Sequence, residues 1–174
     1  MPNRTDLLAI IGLLLGATLG LAGSLVPDAA TRALCWGIDG AGLVMAAALL
    51  AVRYFRLGKD IVAAGFLVFA IGEGIVLSSA AAPLDGSGPV FAAGTALWAT
   101  ALFLISGPRE FAPAIRLLGA VAGALFAVTS LMILSGRGLT PLTRPLPFFA
   151  YPVFVLTLLG WVWTLIGARS RWRL

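Results

Sequence analysis

The sequence contains no histidine and a single cysteine, Cys35, among its 174 residues. The missing histidines exclude His-ligated haem, zinc sites that need histidine, and histidine general bases. One cysteine excludes an intrachain disulfide and a CxxC motif. The motifs GxxxxGK, GxGxxG, GxSxG and HExxH are absent as well. The sequence therefore predicts no metal and no cofactor, and favours a protein that is not an enzyme.

Charged residues are also scarce. They make up 11% of the chain, against about 25% in a typical soluble domain. Hydrophobic residues make up 60%, and the mean hydropathy is +1.04. Apolar runs of about 18 or more residues recur along the chain, each long enough to cross a hydrocarbon core of about 30 Å. This pattern predicts an all-α integral membrane protein that forms one polytopic domain over residues 1–174, surrounded by membrane lipid.

Six apolar segments predict six transmembrane helices in one bundle, at residues 7–26, 33–52, 61–82, 90–106, 114–134 and 148–167. A shift of 82 residues aligns Gly12 with Gly94 and Thr18 with Thr100. This weak repeat would relate two three-helix halves that are inverted in the membrane, as in many transporters. Trp161 and Trp163 are placed where an interfacial aromatic belt would anchor the last helix.

The basic residues, eleven Arg and one Lys, predict the orientation in the membrane. Six spans put both termini on one side. That side holds nine basic residues: Arg4, Arg53, Arg56, Lys59, Arg109, Arg116, Arg169, Arg171 and Arg173. The other holds three: Arg32, Arg137 and Arg144. The positive-inside rule places both termini in the cytoplasm, and the Arg-rich, Ala- and Gly-rich composition favours a bacterial inner membrane. The same layout accounts for a pI near 10.7 without nucleic-acid binding.

Two helical faces carry glycine at four-residue spacing. Gly12, Gly16 and Gly20 line the first span, and Gly119 and Gly123 line the fifth. Small residues at this spacing let membrane helices approach closely. We expect both faces to pack within the chain; the alternative is the seam of a homodimer or of a larger membrane complex.

The only acidic residues inside the spans are Asp39 and Glu73, and Glu73 lies between Gly72 and Gly74. An ionisable group at membrane depth costs about 2.5–3.5 kcal/mol on insertion scales and usually faces a protein interior or a wet cavity. Because helices joined by a short loop are normally adjacent, the two carboxyls are expected to share a pocket in the outer half of the membrane. Two carboxylates so placed cannot both stay ionised, and such a pair can bind a cation, relay a proton or do acid–base work.

Hydroxyl side chains complete the predicted ligand- or ion-binding site. Ser78, Thr95 and Thr100 are its candidate members beside Glu73 and Asp39. Three further hydroxyls could line the same cavity: Ser79, Thr129 and Ser130. Membrane helices also carry such hydroxyls for packing alone.

A structural interpretation of the two acids stands beside the functional one. Asp39 would then reach the interface or pair with Arg32, one to two turns earlier in the chain. Glu73 would be protonated and hydrogen-bonded to Thr95, Thr100 or a backbone carbonyl.

Three functions fit these observations. The first is a small transport-like or ligand-binding membrane protein, whose outward-facing acidic pocket takes a cation, a proton or a small amphipathic molecule. The second is a non-catalytic accessory subunit that packs in a membrane complex. The third is an intramembrane enzyme that uses the paired acids on a lipid-like substrate. A hydrated cavity at Glu73 favours the first or third, and a dry, packed Glu73 favours the second.

Overall fold

The computed structural model describes residues 4–80 and 88–170, and within them every regular element is helical. Six helices in this part of the chain are long and apolar enough to cross a membrane, as many as the sequence predicts. Residues 81–87, which the sequence predicts as a turn, and the last residues of the basic tail, with Arg171 and Arg173, lie outside the described part. The helices are α1 (Arg4–Leu25), α2 (Ala29–Arg56), α3 (Asp60–Ala80), α4 (Gly88–Ser106), α5 (Pro113–Leu134) and α6 (Leu146–Ser170).

Local chemistry explains why some helices are longer than their apolar runs. Asp28 caps α2: its carboxylate accepts from the Thr31 N–H at 2.7 Å and the Thr31 hydroxyl at 2.6 Å. These bonds, the hydroxyl's above all, hold the pKa of this exposed carboxyl below its usual value. The cap starts α2 four residues before the predicted Ala33. At the other end, Gly58 adopts φ +67°, a conformation that favours glycine and ends the helix.

The middle of α1 departs from α-helical geometry. Residues Gly16–Gly20 form a π-helical segment between the α-helical stretches Arg4–Leu15 and Leu21–Leu25. The Thr18 hydroxyl donates to the carbonyl of Leu14 at 2.7 Å, so this side chain is satisfied by its own helix. Such wider turns interrupt the regular hydrogen-bond ladder and are frequent beside functional sites.

Each helix packs against the next one along the chain, and α6 returns to pack against α1, so the six helices close into a ring. Aromatic side chains fill its interior. The Trp161 ring lies 5.0 Å from that of Phe66, and the Trp98 ring lies 5.0 Å from that of Phe126, both edge to face. This geometry stabilises aromatic pairs beyond the area they bury.

One of the two tryptophans predicted for the aromatic belt belongs to this interior. Trp161 is 1% exposed and packs among Phe66, Phe69 and Phe111, so its assignment to the belt is wrong. Trp163, two residues later and therefore on another face of α6, is 76% exposed. A tryptophan near the end of an apolar run does not by itself reveal which face of the helix it occupies.

The glycine faces lie against neighbouring helices of the same chain. A Cβ on Gly12 would overlap the backbone carbonyl of Gly42 in α2, and one on Gly119 would overlap the Ser106 hydroxyl in α4. A Cβ on Gly123 would lie 3.3 Å from the Ala99 carbonyl oxygen. The glycines of α1 therefore bring its backbone close to α2, and those of α5 bring its backbone close to α4.

One end of the bundle is rich in ion pairs, and we call it the paired end. There Arg53 of α2 forms a salt bridge with Asp6 of α1, and Lys59 meets Glu110 at 2.8 Å. The guanidinium of Arg116 donates to the carbonyls of Ser106 and Gly107, both at 2.8 Å, and so satisfies the last turn of α4. The opposite end, which carries Asp28, Arg32 and Pro141, is called the cavity end.

Candidate functional site

A cavity of about 60 Å³ lies in the half of the bundle nearer the cavity end. Side chains of α1, α2, α3 and α6 form its walls, and Trp98 of α4 and Pro141 of the α5–α6 connection complete them. The lining residues are Gly16, Gly20, Leu21, Ser24, Trp36, Asp39, Leu43, Glu73, Val76, Leu77, Ser79, Trp98, Pro141, Tyr151, Phe154 and Val155. At roughly 10–15 Å³ for each water molecule, the cavity has room for about four to six water-sized groups.

Asp39 and Glu73, the two predicted acids, both line this cavity. Asp39 lies ten residues into α2, which is about 15 Å along the helix axis at 1.5 Å per residue. It is therefore deeper than the predicted helix start implied, because the Asp28 cap begins α2 earlier. Glu73 is the more enclosed of the two, at 3% exposure, whereas Asp39 is partly exposed.

Two glycines make room for these carboxylates. The Asp39 Oδ2 lies 2.8 Å from the position that a Cβ on Gly20 would occupy, and the Glu73 Oε1 lies 3.3 Å from that of Gly40. The π-helical segment of α1 thus faces Asp39, and the residue next to Asp39 on α2 faces Glu73. Gly72 and Gly74, which flank Glu73 in the sequence, have other surroundings. Gly72 packs on the Gly94 carbonyl of α4, whereas a Cβ on Gly74 would have no described neighbour within 4 Å.

Three polar atoms of the cavity are buried without a hydrogen-bond partner in the part of the chain that the structure describes. They are Oδ1 of Asp39, Oε2 of Glu73 and the indole Nε1 of Trp98. Trp98 is close enough to Glu73 to interact with it, but the two do not complete a hydrogen bond. Buried polar groups are almost always satisfied in folded proteins, so an unsatisfied cluster at a cavity calls for an explanation.

The cavity is also acidic in net character. None of the described lysines or arginines lines it. Arg32, the cation expected to pair with Asp39, donates instead to the backbone carbonyls of Val26 and Pro27, at 3.2 and 3.3 Å. Its guanidinium carbon lies 5.9 Å from the centre of the Trp36 ring. The Arg32 pairing is therefore wrong for this structure, and none of the described lysines or arginines forms an ion pair with Asp39.

The three hydroxyl residues placed in the predicted site lie outside the cavity lining. Thr95 is buried and donates to Phe91 and Ala92 of its own helix at 3.0 and 3.1 Å. Thr100 and Ser78 are exposed and donate to the carbonyls of Ala96 and Ile75. Neither threonine is hydrogen-bonded to Glu73. The proposed bond from Glu73 to these threonines is therefore absent from the structure.

The other hydroxyls divide in the same way. Ser79 lines the cavity and donates to Val76 at 2.7 Å. Thr129 and Ser130 do not line it; Thr129 donates to Leu125 of its own helix, and Ser130 donates to Ala92 of α4 at 2.8 Å. Ser130 therefore joins α5 to α4, which is a packing contact.

Four aromatic cavity residues were not predicted as members of the site: Trp36, Trp98, Tyr151 and Phe154. Aromatic residues in apolar helices resemble ordinary core residues, and only Trp36, Trp98 and Tyr151, with polar atoms inside spans, gave a signal. The Trp36 indole donates to the Gly20 carbonyl at 3.3 Å, so it joins α2 to the π-helical segment of α1.

This arrangement offers too few ligands for a hard metal ion. The described residues contain no group of three or more His, Cys, Asp or Glu side chains that could hold a metal. Calcium takes six to eight oxygen ligands, and magnesium needs near-octahedral oxygen coordination. The cavity instead offers two carboxylates and largely apolar or aromatic walls, which suit a proton or a monovalent cation.

Comparison of the chain with protein-family models, with curated proteins and with solved structures finds no match. The charge, enclosure and shape of the site itself are therefore the indications of its function.

Proposed function

We propose that this chain is an integral membrane protein that binds, and moves, a small cation, a proton or a small cationic amphipathic ligand in the cavity between Asp39 and Glu73. The observation that carries the proposal is the Glu73 carboxylate, which lines a cavity with Asp39 yet lacks a described partner at Oε2. A buried carboxylate without a protein partner is costly, and a bound cation or proton removes that cost.

The direct test is cation binding and cation-linked flux in proteoliposomes that contain the full chain. Glu73→Gln keeps the size of the side chain and removes its charge, so we expect it to abolish both. Glu110→Gln is the matched control: it removes a carboxylate at the paired end, outside the cavity, and should leave both unchanged. Wild-type protein without any binding or flux of protons, sodium, potassium or organic cations would contradict the proposal and favour an accessory subunit.

Membrane orientation is part of the same proposal. The paired end would face the cytoplasm of a bacterial cell, with both termini there, and the cavity end would face outward; the nine-to-three division of basic residues supports this. The 82-residue repeat stays a prediction.

Cysteine labelling tests the orientation. In a Cys35→Ala background, Gly138→Cys should react with an impermeant maleimide added outside intact cells, whereas Leu57→Cys should react only after the membrane is opened. Both positions are exposed, and neither substitution removes a basic residue. Labelling of Leu57→Cys from outside, with Gly138→Cys protected, would reverse the orientation.

A further inference from the structure

We propose that the ligand of this cavity is a compact, monovalent organic ammonium ion. This inference rests on the proposed function, and it names the substrate class that the walls of the cavity select. Three features carry it: the charge of the site, the chemistry of its walls and its size.

The charge of the site calls for a single positive charge. Glu73 is 97% buried, since 3% of it is exposed, and its Oε2 lacks a described partner. Asp39 lines the same cavity, with its Oδ1 also unpartnered. Two carboxylates in one enclosure of low polarity do not both stay ionised, so at most one negative charge faces the ligand. A divalent ion would be left under-compensated.

The walls distinguish an organic cation from an inorganic one. Apart from the acids, the polar side chains at the cavity are few, and most of its surface belongs to aliphatic and aromatic residues, among them Leu43, Val76, Leu77 and Phe154. A sodium or potassium ion that enters this cavity would lose the water of its hydration shell and meet mostly carbon atoms in its place. An alkylated ammonium gains from the same surface, because its methyl groups leave water as the charge meets the carboxylates.

Aromatic rings line the cavity beside the two acids, although the rings of Trp98 and Phe154 stack on each other. Trp36, Trp98, Tyr151 and Phe154 come from three different helices and line the same space. An ammonium held against the face of an aromatic ring gains about 0.5–2 kcal/mol, and groups of rings recognise quaternary ammonium ions in many proteins. The guanidinium carbon of Arg32 lies 5.9 Å from the centre of the Trp36 ring, so this ring already contacts one cation at the rim.

Size limits the ion. A cavity of about 60 Å³ has room for about four to six water-sized groups, such as methyl groups. Tetramethylammonium, with five heavy atoms, is of this size, whereas tetrabutylammonium is far larger. Tert-butanol also has five heavy atoms and a similar shape, but it is neutral. Tetramethylammonium and tert-butanol therefore test the effect of charge at similar shape. Tetramethylammonium and tetrabutylammonium test the effect of size at equal charge.

The experiment measures binding to the purified full chain in detergent, by calorimetry and by the fluorescence of its tryptophans. We expect saturable binding of tetramethylammonium, at least tenfold weaker binding of tert-butanol and of tetrabutylammonium, and weaker binding of sodium and potassium. Glu73→Gln should weaken tetramethylammonium binding at least tenfold. The paired-end variant Glu110→Gln should not change it.

A second pair of variants tests the aromatic wall without touching either acid. Tyr151→Phe keeps the ring and removes only the hydroxyl, so it is the reference against which loss of the ring is measured. Tyr151→Leu removes the ring and should weaken binding by about two- to fivefold, the size of a cation–π contact. Equal affinities of the Phe and Leu variants would overturn the aromatic part of the inference.

The outcomes separate this inference from the proposed function. Glu73-dependent binding or flux of protons, sodium or potassium, without binding of tetramethylammonium, would overturn the ammonium class and leave the proposed function standing. Tert-butanol that binds as well as tetramethylammonium would reduce the site to an apolar pocket and overturn the class. No binding of any cation would overturn both.

Discussion

The paired end and the cavity end treat their buried acids differently. At the paired end, Asp6 is 8% exposed and forms a salt bridge with Arg53 across the α1–α2 contact. At the cavity end, Glu73 is still less exposed, yet it and Asp39 each keep one oxygen without a described partner. Asp6 and Glu73 are similarly buried, but Asp6 is paired with a cation and Glu73, within the described residues, is not. The salt bridge of Asp6 holds two helices together, whereas Glu73 and Asp39 are left for the ligand that we propose.

The largest effect that tests this comparison comes from breaking the Asp6–Arg53 pair. Arg53→Gln leaves Asp6 buried with a weaker partner, and removal of one member of a buried pair costs about 3–5 kcal/mol. A quarter of the Arg53 side chain is exposed, so solvent screening reduces the expected cost to about 2 kcal/mol. The measurement is the free energy or midpoint of unfolding in detergent.

Two variants control that experiment. Asp6→Asn combined with Arg53→Gln removes both charges and should recover most of the lost stability, as a double-mutant cycle would show. Lys59→Gln breaks the more exposed pair with Glu110 and should cost less than about 1 kcal/mol. If Arg53→Gln is as mild as Lys59→Gln, the Asp6–Arg53 pair does not stabilise the paired end.

The second prediction compares two glycines of the same helical face. Gly12 lies against the backbone carbonyl of Gly42, which cannot move aside, so Gly12→Ala should destabilise by about 1–3 kcal/mol. Gly20 lies against the carboxylate of Asp39, a side chain that can rotate. We therefore expect Gly20→Ala to cost less than about 1 kcal/mol and to weaken ligand binding instead. Equal losses of stability, with binding intact, would contradict this distinction.

The six helices could be predicted because hydrophobic length alone marks a membrane span. Their ends could not be predicted as well, since they depend on single contacts such as the Asp28 cap, which moved the start of α2. Asp39 and Glu73 stood out because a carboxylate in an apolar run is costly. Thr95 and Thr100 were misplaced because a hydroxyl can satisfy itself on its own helix, as both do here. Sequence composition cannot distinguish a hydroxyl that bonds to its own helix from one that faces the cavity.

A smaller effect on stability tests whether Glu73 contributes to ligand binding or to the stability of the fold. Because its Oε2 bonds to no described group, Glu73→Leu strands no hydrogen-bond partner there and fills part of the cavity with apolar surface. We expect stability in detergent to stay the same or rise by up to about 1 kcal/mol, while cation binding is lost. A loss of stability above this size would mean that Glu73 stabilises the fold.

The smallest expected effect concerns the cation at the rim of the cavity. Arg32 lies near Trp36 and repels an approaching positive ligand. Arg32→Gln should therefore tighten cation binding by about two- to threefold, the size typical of exposed charges, and the gain should shrink as salt is added. Weaker binding in Arg32→Gln would instead make Arg32 part of the ligand site.

The π-helical segment of α1 sets the rotational phase of that helix. In an α-helix, four residues advance by about 400°, so residues at this spacing drift by about 40° around the axis. Each residue of a wider π turn rotates by a smaller angle about the helix axis, and this smaller rotation cancels the drift. Gly16–Gly20 thus returns Gly20 to the side of α1 that Gly12 presents to α2. Regular α-helical winding of the same residues would leave Gly20 about 80° from the Gly12 side, because eight residues advance by about 800°, and would turn Gly20 away from Asp39.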